Sequence, residues 1–398
     1  MKQVLAIDIG TSCIKVLAAQ VTSAQIEILG SGSAPTSGYR HGKVEQVDSL
    51  VSSIRQAIDC VMTAVSGSFD LIYMGIGSLD VKAVNLFGTV APQRPQSLSA
   101  EDGERACRAS IAALPLDEAI VHLIPSQYFV DDRPVALLPV GQPCHSLKVN
   151  THVISIPKAL KSQLNAELAR NSIPAISLVA TSYADALALT DQTQSKTNFF
   201  IMDIGAGTVD VSFYNEGKRV FSEALPFGGE YITSDIMQAF SVNRNHAEGI
   251  KKYYAKLDNN LHHQEVILDC NDYGTTDKNI AYDFLYDIIE SRTEELVALI
   301  YQGVKDSIPL DLVERQACEV YLTGGSSKLP SFVRAIHDRF GLSVKTVMPT
   351  KLDKEYLCPE NTAGYGILLF AASHLPAKQE TSSGCHMFFQ KIKNMFGS

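Results

Sequence analysis

The sequence DIGTS at residues 8–12 recurs as DIGAGT at residues 203–208, and these two stretches decide the fold. Each lies between two short apolar runs, which predicts a strand, a tight glycine-containing turn and a second strand. Small residues in such a turn let an anion approach backbone N–H groups that point into one concavity. An ordinary hairpin is the alternative for either copy alone, but the repetition indicates two related halves of one molecule.

Phosphate is the natural occupant of both turns. Asp8 and Asp203 close the strand before each turn and suit a hydrated Mg²⁺ carried by the phosphates, because Mg²⁺ keeps its waters and takes few carboxylates. Lys15 follows the first turn closely enough for its ammonium to reach a phosphate, although a solvated strand lysine is an equal alternative. The turn residues predicted to bind phosphate are Gly10, Thr11, Ser12, Gly205, Ala206, Gly207 and Thr208.

A third motif, VYLTGGS at residues 320–326, is an apolar strand that ends in Gly324, Gly325 and Ser326. A flat Gly-Gly step lets a planar base or ribose lie against the backbone. The three motifs, in this order, resemble the phosphate-1, phosphate-2 and adenosine motifs of the superfamily that contains actin, sugar kinases and heat-shock chaperones. That resemblance implies an α/β, actin-like (ribonuclease H-like), duplicated two-domain ATPase fold with ATP and Mg²⁺ between its halves.

Glu248 and Lys251 stand three residues apart in the second half. In related ATPases a Glu-x-x-Lys pair at this point touches the adenosine, and the resemblance implies the same role here. The alternative is a common surface ion pair between positions i and i+3.

Composition is typical of a large globular protein. The 398 residues are 45% hydrophobic and 19% charged, enough for two or more domains. The net charge of −9 argues against nucleic acid as a partner. The eight cysteines form no Cys-x-x-Cys pair, which suits a reducing cytoplasm. Asp8 interrupts the apolar run at the N-terminus, so no signal peptide is predicted, and no run approaches the ~20 residues of a spanning helix.

Residues 85–161 are rich in proline and predict a small α+β subdomain inserted into the first half. Its sequences VHLIPSQY at residues 121–128 and THVIS at residues 151–155 resemble the FtsA family of bacterial cell-division proteins, whose distinctive extra subdomain stands at this position. His122 and His152 are predicted to pack at strand edges rather than to bind metal. The inserted subdomain is expected to contain a helix over 101–114 and strands over 120–124, 128–130 and 148–156.

The predicted organisation follows from these motifs. A helix over 177–189 with many small residues is expected to connect the halves and to act as a hinge. Residues 257–280 are predicted to be irregular, and the usual sequence of the family is not recognisable there. The predicted boundaries are 1–84 and 162–195 for the first half, 85–161 for the inserted subdomain, 196–374 for the second half with a nucleotide-capping subdomain at about 227–305, 375–384 for a linker and 385–398 for a C-terminal amphipathic helix.

The stretch 385–398 predicts a membrane anchor that lies in the bilayer surface. On a helical wheel its apolar residues fall in one arc, flanked by lysines that can reach anionic headgroups. A helix that packs back onto the protein is the alternative. The residues predicted to contact the membrane are Phe388, Phe389, Lys391, Ile392, Lys393, Met395 and Phe396.

The family resemblance implies an ATP-binding protein with at most weak ATPase activity. Such a protein polymerises at the cytoplasmic face of the cell membrane, tethers the FtsZ ring at the division septum and recruits later divisome proteins. The alternative is a small-molecule kinase of the same superfamily, which needs a carboxylate base near the phosphate turns and a pocket for its acceptor. Asp8, Asp203 and Asp210 are the candidate bases for that reaction.

Overall fold

The computed structural model describes residues 1–375 apart from 64, 66, 175, 194–197, 258–266, 270–278 and 309–317. The strands are β1 Lys2–Ile9, β2 Cys13–Val21, β3 Ile26–Pro35, β4 Tyr39–Arg40, β5 Lys43–Val44, β6 Leu71–Ile76, β7 Lys82–Val90, β8 Glu118–Val130, β9 Arg133–Val135, β10 Leu147–Pro157, β11 Ser177–Ala180, β12 Asn198–Ile204, β13 Val209–Asn215, β14 Lys218–Leu225, β15 Ile267–Asp269, β16 Asn279–Ala281, β17 Cys318–Thr323 and β18 Ser343–Thr346. The helices are α1 Val47–Met62, α2 Ala100–Ser110, α3 Lys158–Arg170, α4 Thr181–Ala188, α5 Thr190–Thr193, α6 Glu230–Phe240, α7 Arg244–Tyr254, α8 Tyr282–Ser307, α9 Pro330–Phe340 and α10 Thr362–Ser373.

Two five-stranded sheets share one topology. The first has the order β11-β6-β1-β2-β3 and the second the order β18-β17-β12-β13-β14. In each sheet three consecutive strands pair antiparallel and the two later strands add on in parallel. The repeated turn lies at the corresponding place in both sheets, between the first two strands. The duplication predicted from the two turns is thus present in the fold.

The first sheet is covered on both faces. Helix α1 is amphipathic because its apolar residues recur every three or four positions. Leu50, Ile54 and Val61 of this helix are fully buried against one face. Ala184 of α4 and Ile367 of α10 pack on the opposite face. Each large apolar side chain so buried stabilises the fold by about 1.5–3 kcal/mol.

The second sheet has a core of its own. Phe200 of β12 and Phe213 of β13 lie with ring centroids 4.6 Å apart and pack against Ile289 of α8 and Phe332 of α9. Helix α8 is a long helix of 26 residues that packs on this core. These contacts hold the second turn, at the end of β12, on a rigid base.

The inserted segment forms a separate sheet of order β7-β10-β8-β9, and α2 packs against it. The Ser99 side chain accepts from the backbone N–H of Asp102 to start α2, which stabilises the helix end by about 1 kcal/mol. The expectation of separate strands over 120–124 and 128–130 is wrong, because β8 runs continuously past Pro125. The register shifts at this point, and such a bulge lets a strand continue past a residue that cannot donate to the ladder.

Two further expectations need correction. The segment 177–189 is not helical throughout, because Ser177–Ala180 pairs in parallel with β6 before α4 begins. The segment 257–280 is not wholly irregular, because β15 and β16 pair antiparallel. The boundaries predicted for the domains stay predictions, and the stretch 385–398 lies outside the described residues.

Helices α4 and α10 lie against one another with their backbones in close contact. A Cβ atom on Gly366 of α10 would lie 1.8 Å from the carbonyl oxygen of Ala184 in α4. Only glycine fits such an approach, because real Cβ atoms do not come this close to a backbone oxygen. Both helices lie along the chain where it passes between the halves, and the hinge predicted from the sequence stays a prediction; we call the contact of α4 with α10 the pivot.

We expect Gly366→Ala to destabilise the protein, because its methyl group forces the two helices apart. Overpacking of this kind typically lowers the free energy of unfolding by 1–3 kcal/mol, which a thermal-unfolding scan detects as a lower Tm. Gly364→Ala is the matched control on the same helix, since its Cβ meets the flexible end of Leu17 at 3.1 Å. Equal melting temperatures for the two variants would contradict the close contact.

Candidate functional site

A cleft of about 860 Å³ lies between the halves. It brings together the three glycine-containing motifs, which are separated by more than a hundred residues in the sequence. Gly207 alone among the predicted nucleotide and metal residues is absent from the lining. The predicted residues that line the cleft are Asp8, Gly10, Thr11, Ser12, Lys15, Asp203, Gly205, Ala206, Thr208, Glu248, Lys251, Gly324, Gly325 and Ser326.

Gly207 instead lies where the two repeated turns meet, and its lack of a side chain lets them approach closely. A Cβ atom at this position would lie 2.6 Å from Cγ2 and 2.7 Å from Oγ1 of Thr11, in the first turn. The turns therefore touch, and a side chain at Gly207 would push them apart. The close approach to Thr11 gives Gly207 a structural role, and its predicted contact with phosphate stays a prediction.

Hydrogen bonds to carbonyl groups of the second turn fix the conformation of that turn. The backbone N–H of Gly205 donates to the Thr208 carbonyl at 2.9 Å and closes the turn. The carbonyl of Gly205 accepts from the backbone N–H of Gly229 at 3.0 Å and from Oγ of Ser326 at 2.9 Å. The start of α6 and the third motif are thus tied to the same turn.

The third motif approaches the second at Gly324. This residue has a φ of +83°, in the left-handed region that favours glycine. A Cβ atom here would lie 1.9 Å from Oδ1 of Asp203. Glycine is required at this position both for the backbone conformation and to leave room for that carboxylate.

Glu248 and Lys251 form the predicted pair, with 2.6 Å between Nζ and Oε2. Lys251 is buried, and its ammonium also donates to the Gly229 carbonyl at 3.0 Å and to Oγ1 of Thr233 at 2.7 Å. The alternative of a solvated surface pair is therefore wrong. Because its three donors are occupied, Lys251 shapes the cleft wall mainly by fixing α6 and α7 to one another.

The two halves differ in charge at equivalent positions. On the first hairpin Asp8 pairs across the strands with Lys15, whose Nζ lies 3.2 Å from Oδ2 of Asp8 and 2.5 Å from the Glu360 carbonyl. On the second hairpin Asp203 pairs with Asp210. The first half thus carries an ion pair where the second carries two carboxylates.

These carboxylates have strongly altered proton affinities. Burial and the negative charges of Asp210 and Asp8 raise the pKa of Asp203 to about 7. Burial also raises the pKa of Asp210 to about 7, although its hydrogen bond from Thr181 opposes the change. Burial disfavours the ammonium of Lys15, but the Asp8 carboxylate outweighs it and the pKa of Lys15 is raised. The second turn therefore lies beside two carboxyl groups that hold their protons up to about neutral pH.

Sequence reasoning missed several residues of the cleft. Oγ1 of Thr181 donates to Oδ2 of Asp210 at 2.9 Å, and both residues line the cleft. Thr181 carries no local signal, since a threonine between a strand and a helix is common. Asp210 was named only as a candidate kinase base, and its position between two apolar residues of β13 was the available signal. The other cleft residues that were missed include Glu230, Arg244, Lys252, Lys328 and Glu360.

Comparison with known proteins identifies the family. A family model described as "Cell division protein FtsA" matches residues 200–366, and one described as "SHS2 domain inserted in FTSA" matches residues 80–155. The chain belongs to the FtsA family of cell-division proteins. The FtsA match covers the second and third motifs of the cleft, and the SHS2 match covers most of the inserted sheet. A role in cell division follows from this membership.

Relatives and solved structures agree with this assignment. The cell division protein FtsA of Pseudomonas aeruginosa is 26% identical over 380 residues, which cover 93% of this chain and 89% of that protein. The PilM-PilN type IV pilus biogenesis complex matches 93% of this chain and 98% of the compared chain, with a TM-score of 0.62 and 18% identity. MreB5 of Spiroplasma citri bound to ADP matches 93% and 96%, with a TM-score of 0.52 and 11% identity. These structural likenesses show the actin-like ATPase fold.

The membrane residues predicted for this FtsA-family chain, from Phe388 to Phe396, lie outside the described residues. Within the part of the chain that the structure describes, no helix has the length and apolar character needed to cross a bilayer.

The carboxylate cluster predicts an unusual pH dependence. A carboxyl group whose pKa is higher in the folded than in the unfolded chain binds more protons when folded, so stability falls as pH rises through the folded pKa. We expect the buried Asp203 to make the free energy of unfolding, measured by urea titration without metal or nucleotide, fall as pH rises from about 5 to 7, between its unfolded and folded pKa values. Asp203→Asn should remove this part of the fall, by up to about 1.4 kcal/mol per pH unit in that range, and the difference from the wild type should level off above about pH 8.

The difference between Asp203→Asn and the wild type is the quantity to compare, because burial lowers the pKa of His152 from 6.5 to about 3, so His152 adds stability as pH rises towards 6.5 in both proteins. Asp306→Asn, at the exposed end of α8, serves as the control and should keep the wild-type slope. A slope that is the same for Asp203→Asn and the wild type would contradict the assignment.

Proposed function

We propose that this FtsA-family protein binds ATP with Mg²⁺ in the cleft between its halves. The observation that carries the proposal is the direct contact of the two glycine-containing turns beside a cluster of carboxylates. Backbone N–H groups of both turns suit the phosphates. The third motif, where Gly325 leaves open backbone, suits the base or ribose.

The residues present fit a magnesium ion. Asp8 and Asp203 approach the cleft from opposite halves, and hard oxygen ligands are those that Mg²⁺ prefers. The raised pKa of Asp203 indicates that the cluster lacks positive charge. When bound, Mg²⁺ would supply that charge and neutralise phosphate oxygens. Lys15 would hold Asp8 in place and offer its ammonium to the same phosphates, while Thr181 would orient Asp210.

We expect Gly325→Val to weaken ATP binding at least tenfold, because its branched side chain projects into the space proposed for the adenosine. Asp203→Ala should weaken binding in the presence of Mg²⁺ but have little effect in its absence. A fluorescent-nucleotide titration with and without Mg²⁺ measures both effects. A tenfold change corresponds to about 1.4 kcal/mol of binding free energy.

Two variants control for general damage. Gly325→Ala adds a Cβ atom that meets the flexible side chain of Glu360 at 3.3 Å, and it should bind ATP more tightly than Gly325→Val. Asp306→Ala removes a carboxylate far from the cleft and should bind as the wild type does. Unchanged affinity in both Gly325→Val and Asp203→Ala would disprove the site.

We further propose that the protein polymerises and tethers the FtsZ ring to the cytoplasmic face of the cell membrane, where later divisome proteins join it. Membership of the FtsA family supports this role over that of a small-molecule kinase. The sequence supports residues 385–398 as the anchor, because aromatic and aliphatic side chains share one face of the predicted helix beside two lysines. One such helix anchors weakly, whereas a filament that presents many copies binds tightly through effective concentration.

The tether predicts that FtsZ sediments with anionic vesicles only when this protein is present. Phe389→Glu should abolish that co-sedimentation because it places a charge in the apolar face of the predicted helix. Removal of residues 385–398 should abolish it because it deletes that helix. ATP binding should stay unchanged in both variants. Phe87→Glu is the control, since this phenylalanine is exposed in the inserted subdomain. Vesicle binding by the truncated protein equal to that of the full chain would rule out the anchor.

A further inference from the structure

One side chain of the inserted subdomain makes direct contact with the pivot of the fold. His122 of β8 is buried, and its Nε2 accepts a hydrogen bond from the backbone N–H of Ala180 at 3.0 Å. Ala180 ends β11 and immediately precedes α4. Because Nε2 accepts, it carries no proton, and the imidazole of His122 holds the N-terminus of the first connecting helix.

The same imidazole contacts both connecting helices. Its ring centroid lies 4.8 Å from that of Tyr183 in α4 and 5.1 Å from that of Phe370 in α10. Aromatic pairs at such distances typically contribute beyond their buried area. Any movement of α4 against α10 therefore changes the surroundings of His122.

A second contact joins the inserted sheet to the other half. His152 of β10 is buried, with Nδ1 2.9 Å from Oδ1 of Asn85 and Nε2 2.9 Å from Oγ of Ser222 in β14. Nδ2 of Asn85 donates to the Val220 carbonyl of the same strand at 2.8 Å. The inserted subdomain thus contacts both the pivot and the second half, which it also meets where Nζ of Lys218 in β14 donates to Oε1 of Gln127. A change in the angle between the halves must disturb at least one of these contacts.

The path from His122 to the cleft is short and tightly packed. Ala180 is followed by Thr181, whose hydroxyl donates to Asp210 in the cleft. A Cβ atom on Gly77 would lie 2.3 Å from Oγ1 of Thr181 and 2.8 Å from Oδ2 of Asp210. Gly77 thus packs directly against one side of this hydrogen bond, and a shift of Ala180 moves Thr181 relative to Asp210.

We propose that His122 is a positioning residue that couples the orientation of the inserted subdomain to nucleotide binding. The inference rests on the proposed nucleotide site and adds its regulation. Coupling between two sites is reciprocal. A change in the orientation of the inserted subdomain therefore changes the affinity of the cleft for ATP, and binding of ATP changes that orientation.

Amide hydrogen exchange of the wild-type protein, with and without saturating ATP and Mg²⁺, tests the coupling without any substitution. We expect ATP to slow exchange in both glycine turns, at Ala180 and in β8. Slower exchange in the turns with no change in β8 and at Ala180 would overturn the coupling and leave the nucleotide site standing. No binding of ATP by the wild type would overturn both.

Two substitutions separate positioning from general packing. His122→Phe keeps an aromatic ring but removes the acceptor, whereas His122→Gln keeps an acceptor on a side chain of similar reach. We expect His122→Phe to weaken ATP binding roughly fivefold or more. It should also abolish the slowing of amide exchange in β8 that saturating ATP causes in the wild type. His122→Gln should restore a large part of both.

His145→Phe is the matched control, because His145 belongs to the same inserted segment and its side chain is 82% exposed. This variant should bind ATP with wild-type affinity, and ATP should slow its amide exchange in β8 as in the wild type. A His122→Phe variant with wild-type affinity and a wild-type response in β8 would overturn the role of His122. If that variant does not fold, the exchange experiment on the wild type still decides.

Discussion

The structure depends on keeping three carboxylates in one largely enclosed cleft. Burial and the charges of Asp210 and Asp8 raise the pKa of Asp203, and burial and the charge of Asp8 raise the pKa of Asp210. Lys15 balances Asp8 alone, and Thr181 supplies a hydroxyl to Asp210. Burial of unpaired charge is costly. The rest of the fold, from the two sheets to the connecting helices, serves to hold these groups at the ends of adjacent strands, where a divalent cation with phosphates would relieve their repulsion.

Local patterns in the sequence predicted much of this arrangement. The turns at Gly10 and Gly205 were recognisable because glycine between two apolar runs has few structural alternatives. The contact between Gly207 and Thr11 was not, since it joins residues of different halves. Thr181 was missed for the same reason, because its role depends on Asp210, which belongs to the other half. Short-range patterns indicate elements, whereas a cleft between elements is decided by packing.

The strands of the inserted subdomain illustrate a second limit on what local sequence patterns can predict. Pro125 signalled the end of a strand because proline cannot donate to a ladder. In the structure a bulge lets β8 continue, so that His122 and Tyr128 belong to one element. His122 was expected to pack at a strand edge, and it is buried as expected. Its hydrogen bond to Ala180 depends on how the inserted sheet docks on the first half, which no local pattern encodes.

The docking of the inserted sheet on β14 also affects the solubility of the protein. β14 is an edge strand, and an uncovered edge offers backbone groups to which another chain can add a strand. Val220 falls where the pairing of β14 with β13 is irregular, and its carbonyl accepts from Asn85 instead. The insertion therefore closes this edge with side chains rather than with a further strand. The sheet is thereby protected, along this side, from uncontrolled edge-to-edge aggregation.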